Sequence, residues 1–192
     1  MRTYQVVTPA STYPVSLTET KLHLKVDINT DDTLITNLII AATQVSEEYT
    51  NRFFIVTTLS QTCTTFRELK SLFKSKVMAI GHVKYYDDTN TQQTLLSTNY
   101  VLNNEFEPGQ VNPVVDYDYP STVDRIDAVE CEYKVGYGQT AADVPDAIKQ
   151  AILLTIGNWY ENRQSIITGK TSTELSMSAK WLLDTYKVQV LI

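Results

Sequence analysis

The sequence predicts an α+β fold in which a helical platform of about four helices carries an inserted antiparallel β module. Apolar residues recur at helical spacing in the first quarter of the chain and again after residue 144. Between residues 56 and 137 this period disappears, and turn residues separate short segments of strand character. The 12 Tyr and the many Thr favour pleated surfaces. We therefore expect substantial β structure between two helical parts.

Length and composition indicate one globular domain. The chain has 192 residues, is 43% hydrophobic and 20% charged, and carries a formal net charge of -6. These values exclude collagen-like, low-complexity and wholly disordered classes. We expect a single domain made of a platform, residues 14–55 and 143–187, an inserted β module, residues 56–140, and a C-terminal tail, residues 188–192.

The first two helices are predicted from their start signals. Ser16 and Glu19 have capping-box spacing, so the first helix is expected over residues 17–25. Residues 30–32, Thr-Asp-Asp, place a cap and two acids at the start of a second helix that ends near Asn51. That helix has two adjacent apolar faces. Because together they cover a large part of its circumference, we expect it to pack against other elements on two sides. The first face has Leu34, Leu38, Ala41, Val45 and Tyr49, and the second has Ile35, Ile39 and Ala42.

Strands are predicted over residues 77–86, 92–102 and 128–137, with turns at residues 87–90 and 108–109. The clearest strand alternates apolar and charged residues, the pattern of a sheet with one dry and one wet face. Its apolar positions are Val129, Cys131, Tyr133, Val135 and Tyr137.

After the β module, Pro145 suits the first turn of the strongest helix in the chain. Its apolar face comprises Ile148, Ala151, Ile152, Thr155, Ile156 and Trp159. A loop rich in Ser, Thr, Gly and Lys follows over residues 164–173, then a short helix over residues 176–186 and the apolar tail.

Common catalytic and metal-binding signatures fail on this sequence. Residues 27–31 resemble a calcium loop, but Asp32 replaces the required Gly and Leu38 the bidentate Glu. His23 and His82 lie far apart without partners at ligand spacing. There is no phosphate-binding Gly-rich loop, nucleophile elbow or His-Glu-x-x-His motif. We expect no enzyme activity, no metal and no cofactor.

Compartment and membrane signals are also absent from the sequence. No apolar run reaches the roughly 20 residues that span a bilayer, so we expect no membrane partner. Residues 1–5 lack a secretory pattern, and Cys63 and Cys131 are too few for a disulfide framework. We expect folding in a cytoplasm with two reduced thiols.

Charge is distributed unevenly along the β module. Residues 67–76 hold Arg67, Lys70, Lys74 and Lys76 against Glu68, whereas residues 105–132 hold eight acids and one base. Solvated loops explain such runs, and so do complementary faces between neighbouring copies or an acidic wall past which DNA slides. Asp116 and Asp118 are assigned to an exposed loop and not to a divalent ion.

The opening PVSLTETKLHLKVD, residues 14–27, resembles the start of the head-tail connector, or head completion adaptor, family of long-tailed bacteriophages, prophages and gene transfer agents. Later landmarks follow in the same order and extend the likeness over most of residues 14–187. These landmarks are YTNR at 49–52, VKYYD at 83–87, EPG at 107–109, VGYG at 135–138, VPDAIKQAILL at 144–154, NWYENR at 158–163 and LLDTYK at 182–187. The sequence departs from the family at Asn51, where Gly is usual, and in its Thr-rich stretch at residues 57–65.

The resemblance implies a structural virion protein without an active site. Such proteins form a ring, commonly dodecameric, under the portal at the capsid vertex, and DNA passes through it without specific binding. The expected partners are therefore other copies of the chain, the portal protein, and the next neck or tail-completion protein. The expected location is the virion neck, after assembly in the bacterial host cytoplasm.

A ring subunit needs two different, complementary faces. Trp159 and Tyr160 are adjacent and therefore lie on different sides of the third helix. We expect Trp159 in the core, whereas Tyr160 fits a core position and an interface position equally well. The candidate interface residues are Tyr49, Arg52, Tyr160, Arg163, Trp181, Leu182, Tyr186, Val188, Val190 and Ile192. The candidate lumen or intersubunit charges are Arg67, Lys70, Lys74, Lys76, Asp116 and Asp118.

Two alternatives remain from the sequence: an enzyme or carbohydrate-binding β module with a helical appendage, marked by a deep polar pocket, and an unrelated cytoplasmic oligomer. The C-terminal segment also has two interpretations. Residues 164–192 become ordered against a neighbouring subunit or the portal, or the apolar tail adds an edge strand to its own subunit.

Overall fold

The computed structural model describes residues 3–162, 166–167, 170–171 and 175–188. Four helices and a five-stranded antiparallel sheet confirm the predicted α+β class. The described residues divide into two compact units. The sheet unit comprises residues 3–10 and 56–137, and the helical unit comprises residues 11–55 and 138–188.

The sheet unit is built on five strands in the order β1-β2-β7-β3-β4. A separate hairpin pairs β5 with β6. In chain order the strands are β1 (Thr3–Thr8), β2 (Thr57–Cys63), β3 (Val77–Tyr86), β4 (Gln92–Leu95), β5 (Tyr100–Asn103), β6 (Gln110–Pro113) and β7 (Val129–Val135).

Strand β7 lies at the centre of the sheet and has the predicted alternation. Val129, Cys131, Tyr133 and Val135 are fully buried, while Lys134 is exposed and the two glutamates between them are half-buried. A short 3-10 helix, Phe66–Lys70, adds the buried side chains of Phe66 and Leu69 to the core of this unit. The dry face of the sheet therefore packs against the segment that follows β2.

Two features of the sheet differ from the sequence prediction. Residues 3–8, which showed no strand signal, form β1 and pair with β2. The single strand predicted over residues 92–102 is instead broken by a 3-10 turn, Ser97–Asn99. The turn is closed by a backbone hydrogen bond from the Asn99 amide to the Leu96 carbonyl at 2.9 Å, and the chain leaves the sheet after Leu95.

The helical unit contains α1 (Leu17–Leu24), α2 (Asp32–Thr50), α3 (Asp146–Glu161) and α4 (Met177–Asp184). Two short strands, β8 (Ile166–Ile167) and β9 (Lys170–Thr171), pair with each other between α3 and α4. The Ser16 hydroxyl accepts a hydrogen bond from the Glu19 amide at 3.1 Å, as the start signal predicts. None of the helices within the described ranges is both long and apolar enough to span a bilayer.

The buried side of α2 is not the face that its spacing favoured. Ile35, Ile39 and Ala42 are buried, whereas Val45 is 39% exposed and the rest of the predicted first face is half-exposed. The buried side also includes Ser46 and Thr50, whose hydroxyls donate to the carbonyls of Ala42 and Ser46 at 2.7 and 2.8 Å. Because these hydroxyls are satisfied within the helix, polar residues can occupy its core face.

The core face of α3 agrees with the prediction except at its end. Ile148, Ala151, Ile152, Thr155 and Ile156 are at most 1% exposed. Trp159, expected in the core, is half-exposed. Pro145 was expected in the first turn of the helix, but it is the N-cap residue just before that turn and its backbone is extended. This helix is the centre of the unit, because α1, α2 and α4 all pack against it.

Candidate functional site

The most exposed apolar surface of the helical unit lies on α4. Ser176 caps this helix, and its inner residues Ala179 and Leu183 are fully buried. On the outer side, Met177 is 87% and Trp181 76% exposed, and Leu182 is half-exposed. We call these three residues the α4 patch. Together with Ser178 they line an open groove of about 600 Å³.

The α4 patch contains two of the residues that the sequence proposed for an interface, Trp181 and Leu182. Large exposed apolar groups that lie together are typical of surfaces that bind other proteins. Trp and Met are moreover enriched in the buried centres of protein interfaces. The patch is therefore the strongest candidate docking surface on this unit.

Other candidate interface residues are used within the subunit's own fold. The Arg52 Nε donates to the Tyr186 carbonyl at 2.6 Å, and the Val188 amide donates to the Thr50 carbonyl at 3.1 Å. Arg52 is only 7% exposed and Val188 only 8%. These two hydrogen bonds hold the segment after α4 against the end of α2, so Arg52 and Val188 are used within the unit's own fold and offer little exposed surface to a partner.

Tyr49 takes part in the same contact. Its hydroxyl donates to Asp184, and this hydrogen bond to a carboxylate raises the pKa of Tyr49 above its ordinary value. The Lys187 ammonium lies 4.5 Å from the centre of the Tyr49 ring. Tyr49 remains half-exposed, so it joins the two helix ends and still presents part of its ring.

Tyr160 joins α3 to the start of α2. Its hydroxyl donates to Asp31 Oδ2 at 2.6 Å, and the side chain is half-buried. Asp31, and not the expected Thr30, takes the N-cap position of α2, and its side chain makes no capping hydrogen bond. The remaining interface candidates Arg163, Val190 and Ile192 lie outside the described residues.

The candidate charges of the sheet unit do not all reach the surface. Arg67, Lys70 and Lys76 are exposed, as are Asp116 and Asp118. Lys74 is only 5% exposed and sits at a backbone φ of 56°, so it is placed inside and does not extend the basic surface. The Lys76 ammonium lies 5.1 Å from the centre of the Tyr137 ring.

Part of the acidic run is neutralised within the unit. Arg125 donates from Nε and Nη2 to the two oxygens of Asp127, each at 2.7 Å, and its guanidinium lies 3.8 Å from the centre of the Tyr86 ring. The hydrogen bonds raise the pKa of Arg125 and lower that of Asp127. Glu130 accepts from the Ser60 hydroxyl at 2.8 Å. The acidic surface is therefore smaller than the sequence count suggests.

A polar cluster inside the sheet unit was missed by the sequence analysis. Gln61 is fully buried, and its Oε1 accepts from the Phe73 amide at 2.8 Å and lies 3.2 Å from the Tyr133 hydroxyl. The same hydroxyl lies 2.8 Å from the Phe73 carbonyl. Burial raises the pKa of Tyr133 and that of the nearby Cys131 thiol. These groups fix the segment before β3 against the centre of the sheet.

The sheet unit also has a small polar pocket of about 70 Å³ beside β3 and β7. This volume has room for a few water molecules and not for a sugar ring. Within the described ranges, no three His, Cys, Asp or Glu side chains lie together as a metal site would require. Cys63 and Cys131 are both buried thiols.

The exposed features described above are apolar and charged surfaces. Residues 14–106 match the family model of the phage gp6-like head-tail connector protein. The match covers just under half of the chain and confirms the resemblance indicated by the sequence motifs. Over these residues the chain is similar to head-tail connector proteins. No curated protein matches it.

Solved structures with the same fold come from gene transfer agent (GTA) particles. A chain in the neck of an empty GTA particle, computed with C6 symmetry, has a TM-score of 0.78 at 18% identity, covering 98% of this chain and 97% of that one. A chain in the neck of a native particle, computed with C12 symmetry, has a TM-score of 0.74 at 18% identity, covering 100% and 97%. A chain of the native virion has a TM-score of 0.70 at 17% identity, covering 98% and 97%. These likenesses establish the fold over the whole chain.

Proposed function

We propose that this protein is one subunit of a ring in the neck of a phage or gene transfer agent particle, between the capsid and the tail. The observation that carries the proposal is the fold likeness to GTA neck proteins, which extends over 98% of this chain and 97% of its counterpart. A likeness that includes both units supports a similar position in the particle. The C6 and C12 symmetries of those necks favour a closed ring of this chain.

The ring binds the portal protein on its capsid side and the next neck or tail-completion protein on its tail side. DNA crosses its lumen without being held, because a chain with a net charge of -6 repels the phosphate backbone. Arg67, Lys70 and Lys76 with Asp116 and Asp118 are the exposed charges available to the lumen or to neighbouring copies. The protein acts through these contacts and not through catalysis.

The proposal is tested by measuring the assembly of the purified full chain, alone and mixed with the portal protein encoded beside it. Native mass spectrometry gives the subunit number, and negative-stain electron microscopy shows whether the particles are rings. We expect rings of a single defined size, formed alone or on the portal. A chain that stays monomeric under both conditions, at concentrations well above those in an infected cell, would contradict the proposal.

A further inference from the structure

Besides the α4 patch, the helical unit has two strongly exposed apolar residues on α1 and in the segment that follows it. Leu22, near the end of α1, is 81% exposed, and Ile28, in the segment that follows, is 63% exposed. We call these two residues the α1 patch. Elsewhere in this unit Tyr13 and Val45 are less exposed, at 42% and 39%.

Both patches point away from the subunit's own core. Helices α1 and α4 each pack against α2 and α3. The buried residue of α1 is Thr20, and those of α4 are Ala179 and Leu183. Two residues along a helix turn the side chain by about 200°. Leu22 and Trp181 therefore lie on the far sides of their helices from the residues that hold those helices in place.

A closed ring requires two different surfaces on every copy, since each subunit contacts one neighbour with one surface and the other neighbour with the second. Resting on the ring proposed above, we infer that the α4 patch of one copy packs against the α1 patch of the next copy. Trp181 supplies the aromatic anchor of this contact, and Leu22 and Ile28 supply the apolar surface that receives it.

One pair of charges beside the two patches is complementary. Lys25 follows Leu22 by three residues, and Asp184 follows Trp181 by three residues. Both side chains are exposed, although Asp184 also accepts the hydrogen bond from Tyr49. If α4 of one copy runs parallel to α1 of the next and Trp181 contacts Leu22, the Asp184 carboxylate and the Lys25 ammonium lie at the same end of the contact. Opposite charges at the rim favour this pairing over a contact between two identical patches.

The pairing is tested by cross-linking between introduced cysteines. In the double variant E19C/S178C, every copy carries one thiol beside each patch and keeps Leu22 and Trp181, because Glu19 and Ser178 are exposed and precede those two residues by three positions. Cys63 and Cys131 are buried and protected. Treating assembled rings with a short bismaleimide is expected to give a ladder of covalent multimers that extends to the ring size. The single variants E19C and S178C should give no ladder. V115C/S178C is a matched control, because Val115 is 89% exposed but belongs to the sheet unit.

A second measurement uses ring formation itself. Because Trp181 is exposed, W181E should leave the melting temperature unchanged but lower the ring fraction at least about tenfold. V115E should leave both unchanged. Rings of E19C/S178C without a ladder, or rings of W181E at the wild-type level, would overturn the pairing while leaving the proposed ring intact. A wild-type chain that forms no ring, alone or with the portal, would overturn both proposals.

Discussion

Asp87 shows how one carboxylate organises the hairpin between β3 and β4. Its Oδ1 accepts from the Thr89 hydroxyl at 2.6 Å and from the amides of Thr89 and Thr91 at 2.9 and 3.0 Å. Its Oδ2 accepts from the Gln93 side-chain amide at 2.9 Å. These hydrogen bonds, with that of the Thr89 hydroxyl the largest cause, lower the pKa of Asp87 to about 2.

The depressed pKa of Asp87 has a defined consequence for acid stability. The folded-state pKa lies below the unfolded value of about 3.9, so ionised Asp87 stabilises the hairpin above that value. The contribution is lost as the pH falls through about 4 towards 2. We expect NMR titration of the Asp87 carboxyl carbon to give a midpoint near 2, and T89V to raise that midpoint. A wild-type midpoint near 4 would contradict the hydrogen-bond arrangement.

Asn51 ends α2 in the left-handed conformation, with φ of 55°. Asn tolerates this region and Gly adopts it without strain, whereas a β-branched side chain is strongly disfavoured there. We expect Asn51→Val to lower the free energy of unfolding by about 1–2 kcal/mol, while Asn51→Gly, the matched control, does not lower it. Chemical denaturation measures both variants. Equal stabilities for the two would show that the backbone at this position relaxes out of the left-handed region.

The apolar face of α3 carries the stability of the helical unit. Ile152 is fully buried at the centre of this face. Ile152→Asp buries a carboxylate without a partner, which costs several kcal/mol, a large part of the roughly 5–15 kcal/mol that stabilises a domain. We expect a strongly reduced melting temperature and little folded protein.

The matched control for Ile152→Asp is Gln150→Asp, which introduces the same side chain at an exposed position of the same helix. Thermal melts followed by circular dichroism compare the two variants, and only the first should lose stability. If the two melted alike, the face of α3 defined by Ile152 would not be the core of the unit.

Sequence patterns predicted the elements whose periodicity reports burial directly. Strand β7 alternates as expected, and the face of α3 from Ile148 to Ile156 is the core face. The pattern misled for α2, because hydroxyls satisfied by the helix backbone made Ser46 and Thr50 suitable for burial. It was silent about β1, whose side chains are mostly exposed. Such a strand is defined by its ladder with β2, which no local pattern encodes.

The candidate site was predictable only in part. Trp181 and Leu182 lie on the surface as an interface requires, since the spacing of α4 buries Ala179 and Leu183 instead. Arg52 and Val188 contact partners 134 and 138 residues away in the chain, Tyr186 and Thr50 respectively, within the same unit. Contacts of such sequence separation leave no periodic signal, so these residues could not be told from interface residues by sequence.

At the scale of the whole molecule, the chain combines a sheet unit and a helical unit in an α+β fold shared with neck proteins of GTA particles. The helical unit contributes two exposed apolar patches, and both units contribute exposed charges. A ring subunit uses such surfaces for its neighbours and for the proteins above and below it. Residues 164–192 were expected to become ordered only on a partner, but α4 already packs against α2 and α3 within the helical unit. For the residues of this segment outside the described ranges the expectation remains a prediction.

The central claim is that this protein forms a ring in the particle neck, and cryo-electron microscopy of the assembled particles tests it most directly. A focused reconstruction of the vertex that joins capsid to tail is expected to show a symmetric ring into which copies of this chain fit, with both units accounted for and DNA or an open lumen on the axis. Purified particles that contain no copies of this chain, or that carry it elsewhere than at this vertex, would contradict the claim.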